Sequence, residues 1–348
     1  MKADYGSISG HPDFRRALKE GRVRAPAILP RTLPLPFLGK PDRVFAIQVA
    51  GLAARLDAIR CRCAVVGLSG GLDSALALLV TYAAFERLGL PRSGIRVYTM
   101  PGFGTTGRTK GNAELLAEGL ELRIETISIA KACRQHLKDI GHDGKTPDIV
   151  FENAQARMRT MILMDKANMY GGIVIGTGDM SEIALGWCTF NGDHMSMFGV
   201  NAGVPKTVVR EVCAWWCGEW GRARKAARAI EDILATPVSP ELVPGKNGEI
   251  VQKTEEKIGP YELHDFFMQE LVGRNRASAE VFAAAFRKFG AKYGAETIGK
   301  WLAVFRRRIV TQAFKRNCAP DGVKVFSDVY FGPNDWHIPS DLSIAPEK

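Results

Sequence analysis

Nowhere in the 348 residues does a run of eighteen uncharged apolar side chains occur, and the first fourteen, MKADYGSISGHPDF, hold no apolar segment of the kind a secretory signal needs. These absences exclude a helical membrane span and lead to the expectation of a soluble, cytoplasmic protein with no membrane partner. The seven cysteines, at positions 61, 63, 133, 188, 213, 217 and 318, form no C-x-x-C pair. That excludes a zinc ribbon and a thioredoxin-type redox motif, and leaves reduced, mostly structural thiols. Internal repeats and low-complexity tracts are also missing.

What is present is ordinary in amount and uneven in placement. With 46% apolar and 24% charged residues the chain can bury a sizeable core, as one large domain or two modest ones. Lys and Arg outnumber Asp and Glu, 47 against 37, giving a formal charge of +10. That sign suits nucleic acid and phosphate-rich small molecules equally, so charge alone does not choose between them. Prolines at positions 26, 30, 34, 36 and 41 deny regular helix and central strand to the N-terminal stretch, which reads as an arm or linker over residues 1–42. From Arg43 a helical pattern takes over, with Val44, Ile47, Ala50, Leu52 and Leu56 roughly on one face. A domain spanning 43–341 is expected, followed by a tail at 342–348.

Inside that domain, short apolar runs alternate with helical patterns. CAVVGL, IRVYTM, LRIETISI and GGIVIGTG read as strands, and residues 74–88, 109–119, 129–140 and 150–170 as helices. The alternation predicts an α/β fold, a parallel sheet with helices on both faces, whose ligands bind beyond the carboxyl ends of the strands. After about residue 204 the sequence becomes a helical C-terminal part. A charged, glycine-containing segment at 244–258 interrupts it without periodicity and reads as a mobile surface segment.

The chemistry concentrates in VVGLSGGLDSALALLV, residues 65–80. The strand ends at Leu68 and delivers Ser69, Gly70 and Gly71 to the sheet edge, where glycine permits positive φ and close approach of a ligand to the backbone. The helix that follows adds amides without intrahelical acceptors and the positive end of its dipole, so the turn suits an anion such as phosphate. It lacks the G-K-[ST] ending of a Walker A loop; Asp73 instead offers a hard oxygen ligand for Mg²⁺ on a pyrophosphate. Two glycines alone fit a plain strand-to-helix turn with Asp73 as a helix-start residue. The full string S-G-G-x-D-S after a buried strand favours nucleotide binding.

SGGLDS resembles the pyrophosphate-binding loop of the ATP pyrophosphatases, proteins of the adenine nucleotide alpha hydrolase-like fold. MPGFGTTGRTK, ENAQARMRT, GGIVIGTGDMSEIALGW, NAGVPKT, SPELVP, KIGPYELHDFF and FKRNCAPDG follow in unbroken order. Together, over residues 44–341, they are similar to the synthetase domain of glutamine-dependent NAD synthetases. The resemblance implies ATP contacts from Gly67, Ser69, Gly70, Gly71, Asp73, Ser74, Thr177, Lys206 and Ser239. It implies a Mg²⁺ environment from Asp73 and Glu182, and substrate contacts from Asn153, Arg157, Glu182, Trp187 and Lys315. Asp73, Glu182 and Lys206 are the expected catalytic residues, with Lys206 opposing the charge that builds on the leaving group.

The residues themselves support this unevenly. Thr177 and Glu182 follow the strand GGIVI and therefore fall at the same sheet edge as Asp73. Asp179 reads as a turn-and-cap residue outside the catalytic set. Asn153 and Arg157, four apart, share a helical face; without the resemblance a solvated face explains them as well. Core packing likewise explains Trp187, and a solvated basic stripe explains Lys315. The 244–258 segment stands where the family has its lid. Small ammonia-dependent relatives carry a lysine, an aspartate and a histidine where this sequence has Phe190, Met197 and Phe314, so those substrate contacts do not carry over.

The reaction implied is amidation of nicotinic acid adenine dinucleotide (deamido-NAD) through an acyl adenylate. ATP is the co-substrate, Mg²⁺ the cofactor, ammonia the nitrogen donor, and AMP and pyrophosphate are released. Two polyanionic substrates account for the basic charge without nucleic acid. The family's nitrilase-like glutaminase has no counterpart in the residues before the domain, so free ammonia or a separate glutaminase partner is expected in preference to a fragment of a longer chain. The family also implies a homodimer, with the CAWWCGEW helix as a candidate contact and core packing as the alternative. The rival readings are another ATP-pyrophosphatase amidotransferase, a tRNA-modifying enzyme, and a nucleotide-binding regulatory relative.

Overall fold

The computed structural model describes residues 32–37, 40–219, 224–236, 254–333, 335 and 338–342. Ser239, most of the 244–258 segment and most of the proline-rich arm lie outside the described residues. Pro41 opens the first described helix, α1 (Pro41–Ala58), in its first turn, where a missing N–H leaves no intrahelical bond unmade.

Among the described residues five strands follow: β1 (Ala64–Gly67), β2 (Ile95–Thr99), β3 (Ile124–Thr126), β4 (Ile173–Gly176) and β5 (Phe198–Gly199). They form one sheet in the order β3-β2-β1-β4-β5, every pair parallel. Between them run α2 (Leu72–Arg87), α3 (Gly107–Gly119), α4 (Ala130–Asp139), α5 (Ile149–Tyr170) and α6 (Met180–Leu185). After β5 come α7 (Lys206–Glu219), α8 (Arg224–Leu234), α9 (Thr254–Ile258), α10 (Tyr261–Phe267), α11 (Ser278–Thr311) and α12 (Ala313–Arg316). Gly294, with φ +72, breaks α11 near its middle.

The period-two alternation of the strands sorts their side chains into two cores. Ala64, Val66, Ile95, Val97, Ile173 and Ile175 join one with Leu52 of α1, Leu76 of α2, Leu116 of α3, Val212 of α7 and Ile230 of α8. Val65, Tyr98 and Val174 join the other with Cys133 of α4 and Ala167 of α5. Both faces of the sheet are therefore covered, which is why its strands read as nearly unbroken apolar runs. The tryptophan-rich stretch of α7 turns inward: Trp216 is buried and the Trp215 ring packs 5.8 Å from that of Phe45.

Two strands differ from the sequence reading. LRIETISI yields only the three residues of β3, because β3 is an edge strand paired with β2 alone and the chain turns toward α4, with the Ile129 amide bonded to the Pro101 carbonyl at 3.1 Å. The two-residue β5 is too short to leave a periodic signal; it is held beside β4 and by the Gly199 amide bonded to the Asp321 carbonyl at 2.8 Å. The end of the proline-rich arm docks rather than dangling. Leu33 exchanges backbone bonds with Val325 and Ser327, and the Phe37 ring lies 4.8 Å from that of Phe326.

The strand order has a functional consequence. β1 is followed by β2 on one side and is flanked by β4 on the other, so the connections leaving β1 and β4 diverge. In open parallel sheets that divergence opens a crevice at the carboxyl edge where ligands bind. SGGLDS leaves β1 and TGDMSE leaves β4 at that crevice.

Candidate active site

The loop after β1 is locked by its own hydroxyls. The Ser69 amide donates to Ser74 Oγ at 3.2 Å, the Gly71 amide donates to Ser69 Oγ at 3.1 Å, and the Ser74 hydroxyl donates to the Gly71 carbonyl at 3.0 Å. Gly70 has φ +85, and a Cβ there would come within 2.0 Å of the Thr109 carbonyl oxygen, so no side chain fits. Gly71 is extended and precedes α2, whose first-turn amides have no intrahelical acceptors. Gly67 lies within β1 and faces α5, where a Cβ would meet Leu163 at 2.9 Å.

The loop after β4 is tied to the first by a residue the sequence did not single out. Asn201, fully buried, donates from Nδ2 to the carbonyls of both Asp73 and Thr177 at 2.9 Å. Gln48 of α1, also buried, donates to Asn201 Oδ1 at 3.0 Å and orients the amide. Asn201 belongs to NAGVPKT, but its partners lie 128 and 24 residues away, beyond the reach of a local pattern.

On this frame Lys206 meets three carboxylates. Its Nζ donates to Asp73 Oδ2 at 2.6 Å and Glu182 Oε1 at 2.9 Å, and lies 2.7 Å from Asp179 Oδ2 without a directed hydrogen bond. Asp179 also caps α6, its Oδ1 accepting from the Glu182 amide at 2.8 Å. The capping role expected of Asp179 is therefore real, and the same side chain adds a third charge to the cluster. Burial works against charge on every member. It pushes Asp179 well above the ordinary carboxylate range and Glu182 up to about 7, against the pull of Lys206 and with reinforcement from Asp73. Burial also disfavours the Lys206 ammonium, yet Asp179, Asp73 and Glu182 outweigh it and hold its pKa well above the usual value.

Among the described residues, three carboxyl groups face one ammonium, so in this low-dielectric site they cannot all ionise at ordinary carboxylate pH without further positive charge. Oxygens of Asp73, Asp179 and Glu182 lie within 4.8 Å of one another, Asp73 Oδ1 has no hydrogen-bond partner among the described residues, and the donors are all hard oxygens. That donor set fits a divalent cation such as Mg²⁺.

A cavity of about 570 Å³, counted with its open mouth, adjoins the cluster and shares Glu182 as a wall. Cys188, His194, Lys315 and Arg316 also line it. The Lys315 ammonium is committed to the carbonyls of Gly186 and Cys188 at 2.8 and 2.7 Å, and partial burial lowers its pKa. Asn153 and Arg157 reach the next turn of the same loop: Asn153 Oδ1 accepts from the Thr189 hydroxyl at 2.8 Å and Arg157 Nε donates to the Phe190 carbonyl at 3.3 Å. Trp187 does not line the cavity; it packs against the main core with the Arg308 guanidinium 5.5 Å from its ring centre. Phe190 and Phe314 touch, ring centres 5.4 Å apart, and Phe190 stacks on His194. Asp73, Glu182, Lys206 and the backbone of Thr177 thus converge, Lys315 joins them across the cavity, and Asn153 and Arg157 support its rim.

A parallel sheet with a glycine loop and a three-carboxylate cluster at its switch point defines an α/β nucleotide-binding protein of the ATP-pyrophosphatase type. More narrowly, the chain belongs to the NAD synthase family, whose model matches residues 45–298. It is 37% identical over 322 residues to the glutamine-dependent NAD(+) synthetase of Mycobacterium leprae, covering 86% of this chain and 47% of the relative. With the enzyme of that name from Mycobacterium tuberculosis it is 38% identical over 324 residues, again covering 86% and 47%. The chain thus spans about half the length of the curated relatives it matches. The fold matches the crystal structure of a glutamine-dependent NAD(+) synthetase from Cytophaga hutchinsonii with a TM-score of 0.71 and 18% identity, over 87% of this chain and 54% of that one. Among the described residues no helix is long and apolar enough to cross a membrane.

Proposed function

We propose that this chain catalyses the ATP-dependent amidation of deamido-NAD to NAD, with ammonia as the nitrogen donor, through an acyl adenylate. The observation that carries the reading is the junction of three parts at one sheet edge. The Gly70 loop suits phosphates, the Asp73–Asp179–Glu182 cluster suits a cation, and the cavity walled by Glu182 and Lys315 suits a second substrate.

In this reading the amides at the start of α2 hold the triphosphate, and Asp73, Asp179 and Glu182 would hold Mg²⁺, which would supply positive charge to neutralise pyrophosphate. Lys206 supplies a fixed positive charge beside the departing pyrophosphate. The cavity brings the acceptor carboxylate in line with the α-phosphorus; a carboxylate oxygen–phosphorus bond forms and the bond to pyrophosphate breaks. Ammonia then attacks the acyl carbon, loses a proton and expels AMP. No side-chain nucleophile takes part, so positioning and charge neutralisation are the protein's contribution. Ammonia comes free or from a glutaminase, and the chain works as a homodimer.

The test is direct. Purified protein with ATP, Mg²⁺, deamido-NAD and ammonium should yield NAD, AMP and pyrophosphate in equal amounts, and glutamine in place of ammonium should not support the reaction. AMP release that depends on XMP or tRNA instead of deamido-NAD would move the chain to a sister enzyme. Nucleotide binding without turnover would favour a regulatory role. Sedimentation at micromolar concentration tests the dimer.

A further inference from the structure

Asp265 lies on α10, outside the glycine loop and the cavity lining, and is 4% exposed. A carboxylate is buried at considerable cost unless its oxygens are satisfied, and both of its oxygens are. Oδ1 accepts from the Ser181 hydroxyl. Oδ2 accepts from the Thr207 amide at 3.0 Å and the Thr207 hydroxyl at 2.7 Å. Ser181 Oγ in turn accepts from the Lys206 amide at 2.8 Å.

The identities of those partners matter more than their number. Ser181 directly precedes Glu182 on α6, and Thr207 directly follows Lys206 on α7. One buried carboxylate therefore pins together the starts of the two helices that carry opposite charges of the cluster. α6 has only six residues, so the position of Glu182 depends on its caps and on contacts from outside the helix. Mg²⁺ accepts little deviation from its preferred geometry, so small displacements of a ligand carboxylate weaken it.

We infer that Asp265 is a positioning residue that sets the affinity of the Asp73–Asp179–Glu182 cluster for its divalent cation by fixing Glu182 relative to Lys206. The inference rests on the cation reading of that cluster given above. Its alternative is a merely structural tie between α10 and the sheet edge, which would lower stability and leave cation affinity alone.

Mg²⁺ is titrated calorimetrically into the protein saturated with α,β-methylene ATP, and separately into the turnover assay. Asp265→Ala is expected to weaken Mg²⁺ binding by about tenfold or more, to raise the Mg²⁺ needed for half-maximal turnover in parallel, and to change kcat at saturating Mg²⁺ less. Asp265→Asn keeps an acceptor for Thr207 and should recover most of the affinity. A folded Asp265→Ala with native Mg²⁺ affinity overturns the inference. Should that variant not fold, Ser181→Ala and Thr207→Val each remove part of the network and should each weaken Mg²⁺ severalfold; native affinity in both overturns it equally. Wild-type protein that binds the nucleotide analogue but takes up no Mg²⁺ refutes the cation site itself, and this inference with it.

Discussion

Lys206 Nζ lies 2.7 Å from Oδ2 of Asp179, a carboxylate with no exposure to solvent. Because the other oxygen of Asp179 caps α6, this ion pair cannot swing away without unravelling the helix start that carries Glu182. The pair is therefore held in place at the start of α6. Asp73 and Glu182 add two carboxyl groups to the one that Lys206 can neutralise, so a second cation would let all three stay ionised together.

Asparagine is as good a helix cap as aspartate, so Asp179→Asn separates the two tasks of that side chain. It should melt within a few degrees of the native protein while losing turnover by roughly 100-fold or more. Asp179→Ala also loses the cap and should cost about 1 kcal/mol of stability on top. Asp73→Asn should likewise abolish turnover with an intact circular dichroism spectrum. Near-native turnover in either asparagine variant would remove that carboxylate from the site.

The two adjacent glycines of the loop make unequal demands. At Gly70 a side chain needs a left-handed backbone and collides with a carbonyl that cannot rotate aside. At Gly71 the backbone is ordinary and a Cβ meets only Ser69 Oγ, at 3.3 Å. Gly70→Ala should lose at least about 2 kcal/mol and bind ATP poorly, while Gly71→Ala should lose less than about 1 kcal/mol. Urea melts and ATP calorimetry on both variants check this; equal losses would mean that the loop relaxes around Gly70.

His264 supplies a pH dependence that is separate from the acidic cluster. Burial among Phe267, Trp301 and Phe305, with Arg308 also opposing charge, holds its pKa down at about 4, although Nε2 donates to the Ile258 carbonyl at 2.6 Å. The folded state thus takes up a proton less readily than the unfolded chain, whose imidazole titrates at its ordinary value. The stability that neutral His264 contributes is complete above about pH 6.5 and is lost as pH falls toward 4, by up to roughly 3 kcal/mol. His264→Gln retains an N–H donor but does not titrate, so its melting temperature should fall less between pH 7.5 and 5 than that of the native protein. Parallel curves would exclude His264 as the source of acid sensitivity.

How much of this was legible beforehand depended on whether the signal was local. The short apolar runs of β1, β2 and β4 and the S-G-G-x-D-S turn carry their meaning within a few residues, so the sequence alone reveals them. Asp73 is legible in that turn and Glu182 as a residue at the same sheet edge, but Lys206 could be picked out only through a resemblance, because no spacing rule links it to Asp73, more than a hundred positions away. Asn201 and Asp265 were missed for the same physical reason: each acts through hydrogen bonds to elements distant in sequence. Asp179 was half read, since its capping pattern is local and its ion pair with Lys206 is not. Phe190 and Phe314 were noted as departures, and their contact with each other needed the fold to bring α12 beside the 186–196 loop.

Removing the ammonium tests the charge balance most severely. In Lys206→Met, Asp73, Asp179 and Glu182 remain near one another with the ammonium that neutralises them gone, and breaking a buried ion pair in this way costs about 3–5 kcal/mol. Glu182, already up at about 7 with Lys206 present, must then rise further, as must Asp179. An acid whose pKa is raised by folding loses stability as pH rises through that pKa, so the deficit of Lys206→Met should be large at pH 8 and should shrink toward pH 6 as the cluster takes up protons. Mg²⁺ supplies the missing positive charge. Millimolar Mg²⁺ should therefore raise the melting temperature of Lys206→Met more than that of the native protein at pH 8, with a smaller difference at pH 6, while turnover stays lost. A variant whose melting temperature responds to neither Mg²⁺ nor pH would show that the three carboxylates do not form a cation site.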